Sequence, residues 1–488
     1  MPKAFYITTT LPYVNADLHI GHALEFVRAD AIARYKRLAG FEVFFNTGTD
    51  EHGLKIYRKA KEEGKDPQAY VNDYAKRVMK LKDVLNLSYT NFIRTTDNHH
   101  ELSAQELWKI CAKNGFIYKK NYQIKYCVGC ELEKTESELV EGRCPIHPNL
   151  EIELIDEENH FFKFSAFQKP LLELYKKPVR TDHPGGNPNF VVPDFRFNEI
   201  KAFVERGLED FSISRLKSKM PWGVGVPGDP QQVMYVWFDA LTNYISALGW
   251  PEDMKAFEKF WKNGTPTQYC GKDNLRQQSA IWQAMLMAAK LPQTKQIIIN
   301  GFINIDGQKI SKSLGNVILP SDIVKDYSTD ALRYYYLREV SNFEDSDFTM
   351  VKFKETYNAN LANGLGNLTS RIMKMAETNL PKDRPLEFPK ESPLPEELTS
   401  ALDKFELNKA MDFIWAQISK LDETIQKEEP FKLVKSDPAK GQKIIKDLVA
   451  ELYHIAQYLE PFLPETAAKI KVAIKANKTP TPLFLRKD

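Results

Sequence analysis

AFYITTTLPYVNADLHIGHALEFVRADAIARYKRLAG, residues 4–40, decides the fold. Phe5 to Thr10 is strand-like. LPYVNADLHIGH follows as a loop. Then Leu24, Val27, Ala31, Tyr35 and Leu38 recur at helical spacing, and Gly40 stands where a C-terminal cap is expected. Strand, loop and helix are repeated further on. Val43 to Asn46 is a second short strand ending in TGTDEHG, a helix spans roughly Asp66 to Leu85, and the strand-like FIRTT precedes another helix. Such alternation builds a parallel sheet covered by helices, with ligand-binding loops at the carboxyl ends of the strands.

The pattern breaks between about Tyr118 and Pro221. That stretch carries a cysteine cluster, aromatic pieces such as HFFKFSAF and the breaker-rich HPGGNPNFVVP, and reads as an insertion. Alternation resumes near Val233. Ile297 to Asn300 is a buried-strand candidate, and Ile303 to Ile310 reads as a hairpin turning at Asp306-Gly307. From Val351 the chain looks helical. Phe353, Tyr357, Leu361, Leu365, Leu368 and Ile372 mark one apolar stripe, Leu448, Leu452, Ile455 and Leu459 another, and the proline-rich LPKDRPLEFPKESPLPEE lies between them. A helical bundle fits.

The 488 residues suggest about three domains. No apolar run approaches the ~20 residues that cross a bilayer, and no secretory leader is present, so a cytoplasmic location without membrane partners is expected. The formal charge of +2 does not by itself advertise a polyanion partner. Of the five cysteines, Cys111, Cys127, Cys130, Cys144 and Cys270, three cluster, which argues for metal rather than disulfides.

Three motifs carry chemistry. His19-Ile20-Gly21-His22 lies just before the first long helix, whose unpaired N–H groups attract phosphate. The imidazoles add donors there, and Gly21 lets a flat purine approach the backbone. On its own this string could equally be a pair of loop histidines at a helix cap. Lys309-Ile310-Ser311-Lys312-Ser313 follows the hairpin, and its lysines can neutralise a departing pyrophosphate. A lone lysine loop of this kind would be an ordinary solvated surface. The third motif is Cys127-x-x-Cys130 and Cys144-x-x-His147, with 13 residues between the pairs. Three thiolates and one imidazole suit tetrahedral zinc, and four protein ligands leave no open position, so the expected role is structural.

With these motifs in this order, the chain resembles the class I aminoacyl-tRNA synthetases. LPYVNADLHIGH, TGTDEHG, YVWFDALTNY, GKD and the lysine loop resemble the methionyl-tRNA synthetases among them over nearly the whole length. The resemblance implies an α/β fold: a Rossmann-like doubly wound catalytic domain over 1–117 and 226–320, and a zinc-binding connective insertion over 118–225. A linker and stem-contact region, with the lysine loop at its start, would span 321–350, and an all-α anticodon-binding bundle 351–488. It implies activation of methionine by ATP with Mg2+, then transfer to elongator and initiator tRNA(Met). His19, Gly21, His22, Lys309 and Lys312 would be catalytic, joined in ATP binding by Gly271, Asp273, Gly301 and Ser311. Methionine would lie among Leu11, Tyr13, Asp50, Trp237, Ala240, Leu241 and Tyr244, a soft pocket suited to a thioether, with Asp50 pairing the ammonium and Arg215 serving the carboxylate end. Zinc would sit on Cys127, Cys130, Cys144 and His147, and Asn367, Arg371 and Phe431 would read the anticodon.

The sequence departs from the family pattern after GKD. Asn274, Gln278 and Gln283 replace the usual isoleucine, histidine and proline, so Asn274 and Gln278 would line the methionine pocket, with the Gln278 amide as a weak donor to sulfur. Phe431 stands where tryptophan is usual. The leucyl, isoleucyl and valyl relatives need a large editing insertion that this chain is too short to hold. A cysteinyl enzyme would want a cysteine near Thr9–Leu11. A non-catalytic RNA-binding relative, or a small nucleotidylyltransferase with the same histidine motif, would not need both motifs, the knuckles and the bundle. No appended tRNA-binding dimerisation domain is visible, so a monomer is expected.

Overall fold

The computed structural model describes residues 3–130, 132–134, 138–179, 188–311, 315–381 and 393–488. Six parallel strands form the central sheet: β1 (Ala4–Thr9), β2 (Glu42–Thr49), β3 (Asn91–Arg94), β4 (Val191–Val192), β5 (Thr265–Gly271) and β6 (Gln296–Asn300). Their order is β3-β2-β1-β5-β6-β4. The chain runs outward from β1 to β3 and then crosses to the other side of β1. The crevice beyond the ends of β1 and β5 is therefore the switch point at which doubly wound sheets bind ligands. The second strand is longer than the four residues its apolar run suggested, because Gly48 and Thr49 continue the ladder opposite Ile93 and Arg94.

Helix α1 (Ile20–Leu38) joins β1 to β2 and buries Leu24, Val27, Ala31 and Tyr35 on the face seen in the sequence. Ala39 caps it, and Gly40 adopts φ +84°, the left-handed turn that ends a helix. The inserted stretch folds mainly as an antiparallel sheet of Leu132–Glu133, Ile117–Cys127, Glu153–Phe162 and Phe211–Ser212. It also returns to the central sheet once: Val191 and Val192 pair with Ile297 and Ile298 and form its edge. Two isolated valines between breakers gave no sign of this.

The C-terminal part is a helical bundle, including Leu407–Glu428, Pro438–Leu459 and Pro464–Lys475. Its first stripe runs through a departure from ordinary helix. Repeats of four residues drift by about 40° per step on an α-helix of 3.6 residues per turn. From Tyr357 to Gly366 the chain winds instead as a wider π-helix. Phe353, Tyr357, Leu361, Leu365, Leu368 and Ile372 are all buried in one core, together with Leu448, Leu452, Ile455 and Leu459. That core runs without a break into the helices beside β1.

Buried polar bonds fasten the bundle to α1. Arg333 is fully buried; it ion-pairs with Asp30 at 2.8 Å and donates to the carbonyls of Phe462, Leu85 and Pro461. Nearer the C-terminal end of α1, Lys36 pairs with Asp403 at 2.7 Å, both largely buried.

Candidate active site and metal centre

His19 is the N-cap of α1, and the two histidines satisfy the helix end reciprocally. His19 Nδ1 accepts from Gly21 N at 3.1 Å, and His22 Nδ1 accepts from His19 N at 3.2 Å. A ring nitrogen that accepts cannot carry the proton, so each neutral ring holds its hydrogen on Nε2. The enclosing protein pushes both below the ordinary histidine range, and the neighbouring ring, with centroids 3.9 Å apart, lowers His19 further, to about 3. His22 still meets solvent at the mouth of the crevice. At neutral pH the pair thus presents N–H donors without net charge.

The lysine loop folds onto this helix end. Ile303–Ile305 and Gln308–Lys309 form the expected hairpin, and its turn residues Asp306 and Gly307 both have positive φ, 50° and 74°. Ile310 reaches Gly21 so closely that a Cβ there would sit 3.3 Å from Ile310 Cδ1 and 3.1 Å from the His19 ring. Ile20 N donates to Ile318 O at 3.0 Å. Asn316 closes the loop, accepting from Ser311 N and donating to Lys309 O. Lys309 is exposed and within electrostatic reach of both Asp273 and His147. Lys312 lies outside the described residues.

Gly271 ends β5, where a Cβ would come within 2.8 Å of Asp273 Oδ1. Asn274 donates to the same Asp273 oxygen at 3.2 Å. It therefore turns toward Asp273 and not toward Tyr244 and Gln278. Gly301 is tightly approached, but by the protein itself: a Cβ would fall 2.2 Å from the backbone of Glu344. Glu25 escaped the sequence reading. It accepts from Thr10 N at 2.6 Å, and enclosure between the ends of β1 and β5 pushes its carboxyl up to about 8. Its only signal was a charge among the apolar residues Ala23, Leu24, Phe26 and Val27.

Backbone bonds gather the residues expected at the amino-acid end. Val14 N donates to Asp50 O, and Asp50 N donates to Pro12 O, which holds Leu11, Tyr13 and Asp50 in one corner. Tyr13 and Trp237 pack against the same apolar cluster, which includes Leu54, Met220 and Tyr235. Ala240, Leu241 and Tyr244 follow on the next turns, and Tyr6 donates to Tyr244 O at 2.8 Å. Arg215 is buried against the rings of Tyr126 and Tyr235 and donates to Ser212 Oγ and Ser214 O. It lines a cleft of about 900 Å³ between the knuckle and the Leu54–Glu62 helix.

The three departures from the family pattern behave differently from one another. Asn274 faces Asp273, whereas Gln278 and Gln283 enter a buried network. Gln278 Nε2 donates to Tyr244 Oη at 2.6 Å, and Gln278 Oε1 accepts from Gln268 at 2.7 Å. Gln283 donates to Gln278 O, five residues back, and to Thr294 Oγ1, which donates to Gln268 Oε1. Gln277–Ile281 is a π-helical turn, and the Gln283 side chain secures a carbonyl at that turn. Two further buried clusters gave no sequence signal. Glu51 takes Arg94 in a two-point pair at 2.8 and 2.9 Å, and Asp239 lies between His52 and His100.

Cys127, Cys130, Cys144 and His147 offer ligand atoms within 4.8 Å of one another. Cys130 Sγ is 3.4 Å from Cys144 Sγ and 3.2 Å from His147 Nδ1, the spacing of donors around a tetrahedral ion. A Cβ at Gly129 would strike the His147 ring, so glycine is required there. Lys55 donates to Gly129 O at 3.3 Å and ties the knuckle to the helix Leu54–Glu62. Far away in the bundle, Asn367 is exposed, Arg371 pairs with Asp422, and Phe431 is 44% exposed and so is not a core residue.

Among the described residues no helix is long and apolar enough to cross a membrane. The family model described as tRNA synthetases class I (M) matches residues 5–152 and 147–373. A methionine–tRNA ligase of Caldanaerobacter subterraneus subsp. tengcongensis is 39% identical over 483 residues, 96% of this chain and 74% of the relative. One of Thermosynechococcus vestitus is 45% identical over 401 residues, covering 81% and 74%. The structure of Mycobacterium tuberculosis methionyl-tRNA synthetase in complex with methionyl-adenylate superposes with a TM-score of 0.86 at 32% identity, covering 100% of this chain and 99% of the other. The chain belongs to the methionine–tRNA ligases, class I aminoacyl-tRNA synthetases that join methionine to its tRNA.

Proposed function

We propose that the reaction runs in the crevice between α1 and the lysine hairpin. The methionine carboxylate attacks the α-phosphate of Mg-ATP and pyrophosphate leaves. A ribose hydroxyl of the terminal adenosine of tRNA(Met), elongator or initiator, then attacks the mixed anhydride, and AMP leaves. His19 and His22 donate Nε2–H bonds to the phosphates, and Lys309 and Lys312 neutralise the departing charge. Gly21 and Gly271 leave room for the nucleotide, Asp273 accepts from the ribose hydroxyls, and Ser311 and Gly301 frame the loop and the adenine side. No protein nucleophile is involved, so catalysis rests on positioning and charge stabilisation.

Methionine lies among Leu11, Tyr13, Trp237, Ala240, Leu241 and Tyr244, with its ammonium on Asp50 and Arg215 toward the carboxylate end. Gln278 meets the thioether side by way of Tyr244. Its amide already donates to the phenol, which keeps the family's polar contact without the histidine. Cys127, Cys130, Cys144 and His147 would hold one structural zinc, four protein ligands leaving no open position for chemistry. Asn367, Arg371 and Phe431 take the anticodon bases, and the enzyme acts as a cytoplasmic monomer.

One observation supports the reaction most directly: a hairpin about 290 residues after the histidine motif lays Ile310 against Gly21, beside two imidazoles whose Nε2–H groups are fixed by their own helix cap. Pyrophosphate exchange with each of the twenty amino acids tests it. Exchange should depend on methionine and fall by orders of magnitude in Lys312→Ala with the fold intact. Wild-type exchange in that variant would remove the loop from the mechanism. One zinc per chain, lost in Cys130→Ser, is the matching expectation for the knuckle.

A further inference from the structure

Behind the methionine pocket lies a carboxylate held by two imidazoles. Asp239 is fully buried in the short helix Val236–Ala240, between Trp237 and Ala240. Its Oδ2 is 2.7 Å from His52 Nδ1 and its Oδ1 is 2.8 Å from His100 Nε2. His52 follows Asp50 by two residues at the end of β2, and its ring packs 5.5 Å from that of Trp222. His100 lies in the first turn of the helix Asn98–Lys113, with its Nδ1 2.8 Å from Ser246 Oγ. One side chain thus joins three separate elements of the chain.

The chemistry at this joint is constrained. An ionised carboxylate only accepts hydrogen bonds, so each ring must turn an N–H toward it. The second nitrogen of His52 lies 3.7 Å from Glu101 Oε1, so the ring stands between two acids. Burial opposes both charges, yet attraction prevails: His52 is held above the ordinary histidine range, with Glu101 and Glu51 assisting, and Asp239 below the ordinary carboxylate range. Removing one partner of such a pair leaves the other charge buried and unmatched.

We infer that Asp239 is a positioning residue for the amino-acid substrate: anchored by His52 and His100, it fixes Trp237 and Ala240 relative to Asp50, so that the side chain and the ammonium of methionine are gripped in one register. The inference rests on the pocket assigned above. Asp239 touches no substrate and acts only through its neighbours. Backbone bonds from Asp50 to Pro12 and Val14 fix the other side of the same corner, so the ammonium site and the side-chain wall are set by different anchors that must agree.

The test compares Asp239→Asn, His52→Gln, their double variant and Trp237→Ala, each measured for the KM of methionine, the KM of ATP and thermal midpoint. Each single change at the joint should raise the methionine KM about tenfold or more, as misplacement of reacting groups does, and leave the ATP KM within about twofold. The double variant, an amide facing an amide, should show less than the product of the single effects, because the residues form one unit. Lower thermal midpoints with an unchanged methionine KM would overturn the inference, as would independent multiplication of the two effects. If Trp237→Ala raises the methionine KM and Asp239→Asn does not, the inference alone fails. If neither does, the pocket assignment fails with it. Should Asp239→Asn not fold, His52→Gln carries the test with the same expected and overturning results.

Discussion

Replacing Gly21 with alanine separates catalysis from stability in one residue. Gly21 does not have a left-handed backbone, so alanine meets no conformational barrier there. In a helix alanine is favoured over glycine by about 1 kcal/mol. The new Cβ, however, would sit 3.1 Å from both Cε1 and Nδ1 of His19 and 3.3 Å from Ile310 Cδ1. Carbon contacts relax at about 3.5–4.0 Å, so the imidazole or the lysine hairpin must retreat by several tenths of an ångström. If the imidazole yields, the His19 cap is lost at a cost of about 1 kcal/mol. The two terms offset, and the thermal midpoint should move by no more than about 4 °C. Under the proposed mechanism catalysis has no such compensation, because the displaced group is the assigned phosphate donor or the hairpin assigned to carry the lysines. Loss of one well-aimed donor costs about 10²–10³ in rate. Methionine-dependent pyrophosphate exchange should therefore fall about a hundredfold with the fold retained. Exchange within about threefold of wild type, alongside an unchanged midpoint, would mean that the helix end and the hairpin do not work on one nucleotide.

Both motif histidines are neutral in the folded protein, so pH acts on the unfolded state first. Below about pH 6.5 the unfolded chain binds protons that folded His19 and His22 refuse until about pH 3 and 4. Stability should drop across that window as pH falls, and the slope should be shallower in His22→Asn, measured by thermal midpoints from pH 7 to 4. Arg333→Met removes the donor to three buried carbonyls and one of the two cations on Asp30, which keeps Arg34 and Ser88, and should cost about 3 kcal/mol in urea unfolding. An unchanged midpoint would show that the joint between bundle and α1 contributes nothing. Phe431→Ala removes an exposed ring suited to stacking, worth about 1–3 kcal/mol per base. It should lower kcat/KM for tRNA about tenfold and leave pyrophosphate exchange untouched, and equal losses in both assays would place the residue elsewhere in the mechanism.

What the sequence revealed were features whose meaning is local. The apolar spacing of α1, the Asp306-Gly307 turn and the two C-x-x-C/H knuckles each specify their own geometry within a few residues, and each was found where expected. The stripe from Phe353 to Leu365 announced a buried helix but not its π-helical winding from Tyr357 to Gly366. Residues whose partners are distant in the chain stayed silent. Asp239 meets rings 187 and 139 positions earlier, Arg333 meets carbonyls more than a hundred residues away on either side, and Val191-Val192 becomes a strand only because β6 offers an open edge. Glu25 looked like one more charge on a helix until the ends of β1 and β5 closed around it. Gly301 was visible as a close approach, but its crowding partner is the chain's own Glu344 backbone.

Helix α1 is made fast at both extremities: Ile310 and the Ile318 carbonyl at its start, Asp403 and Arg333 further along. Its 19 residues span about 28 Å. A stiff rod pinned in this way cannot absorb a shove at one end. A push on the bundle must either break a buried ion pair or shift the histidines at the opposite tip, so the bonds that hold the two parts together also couple their movements.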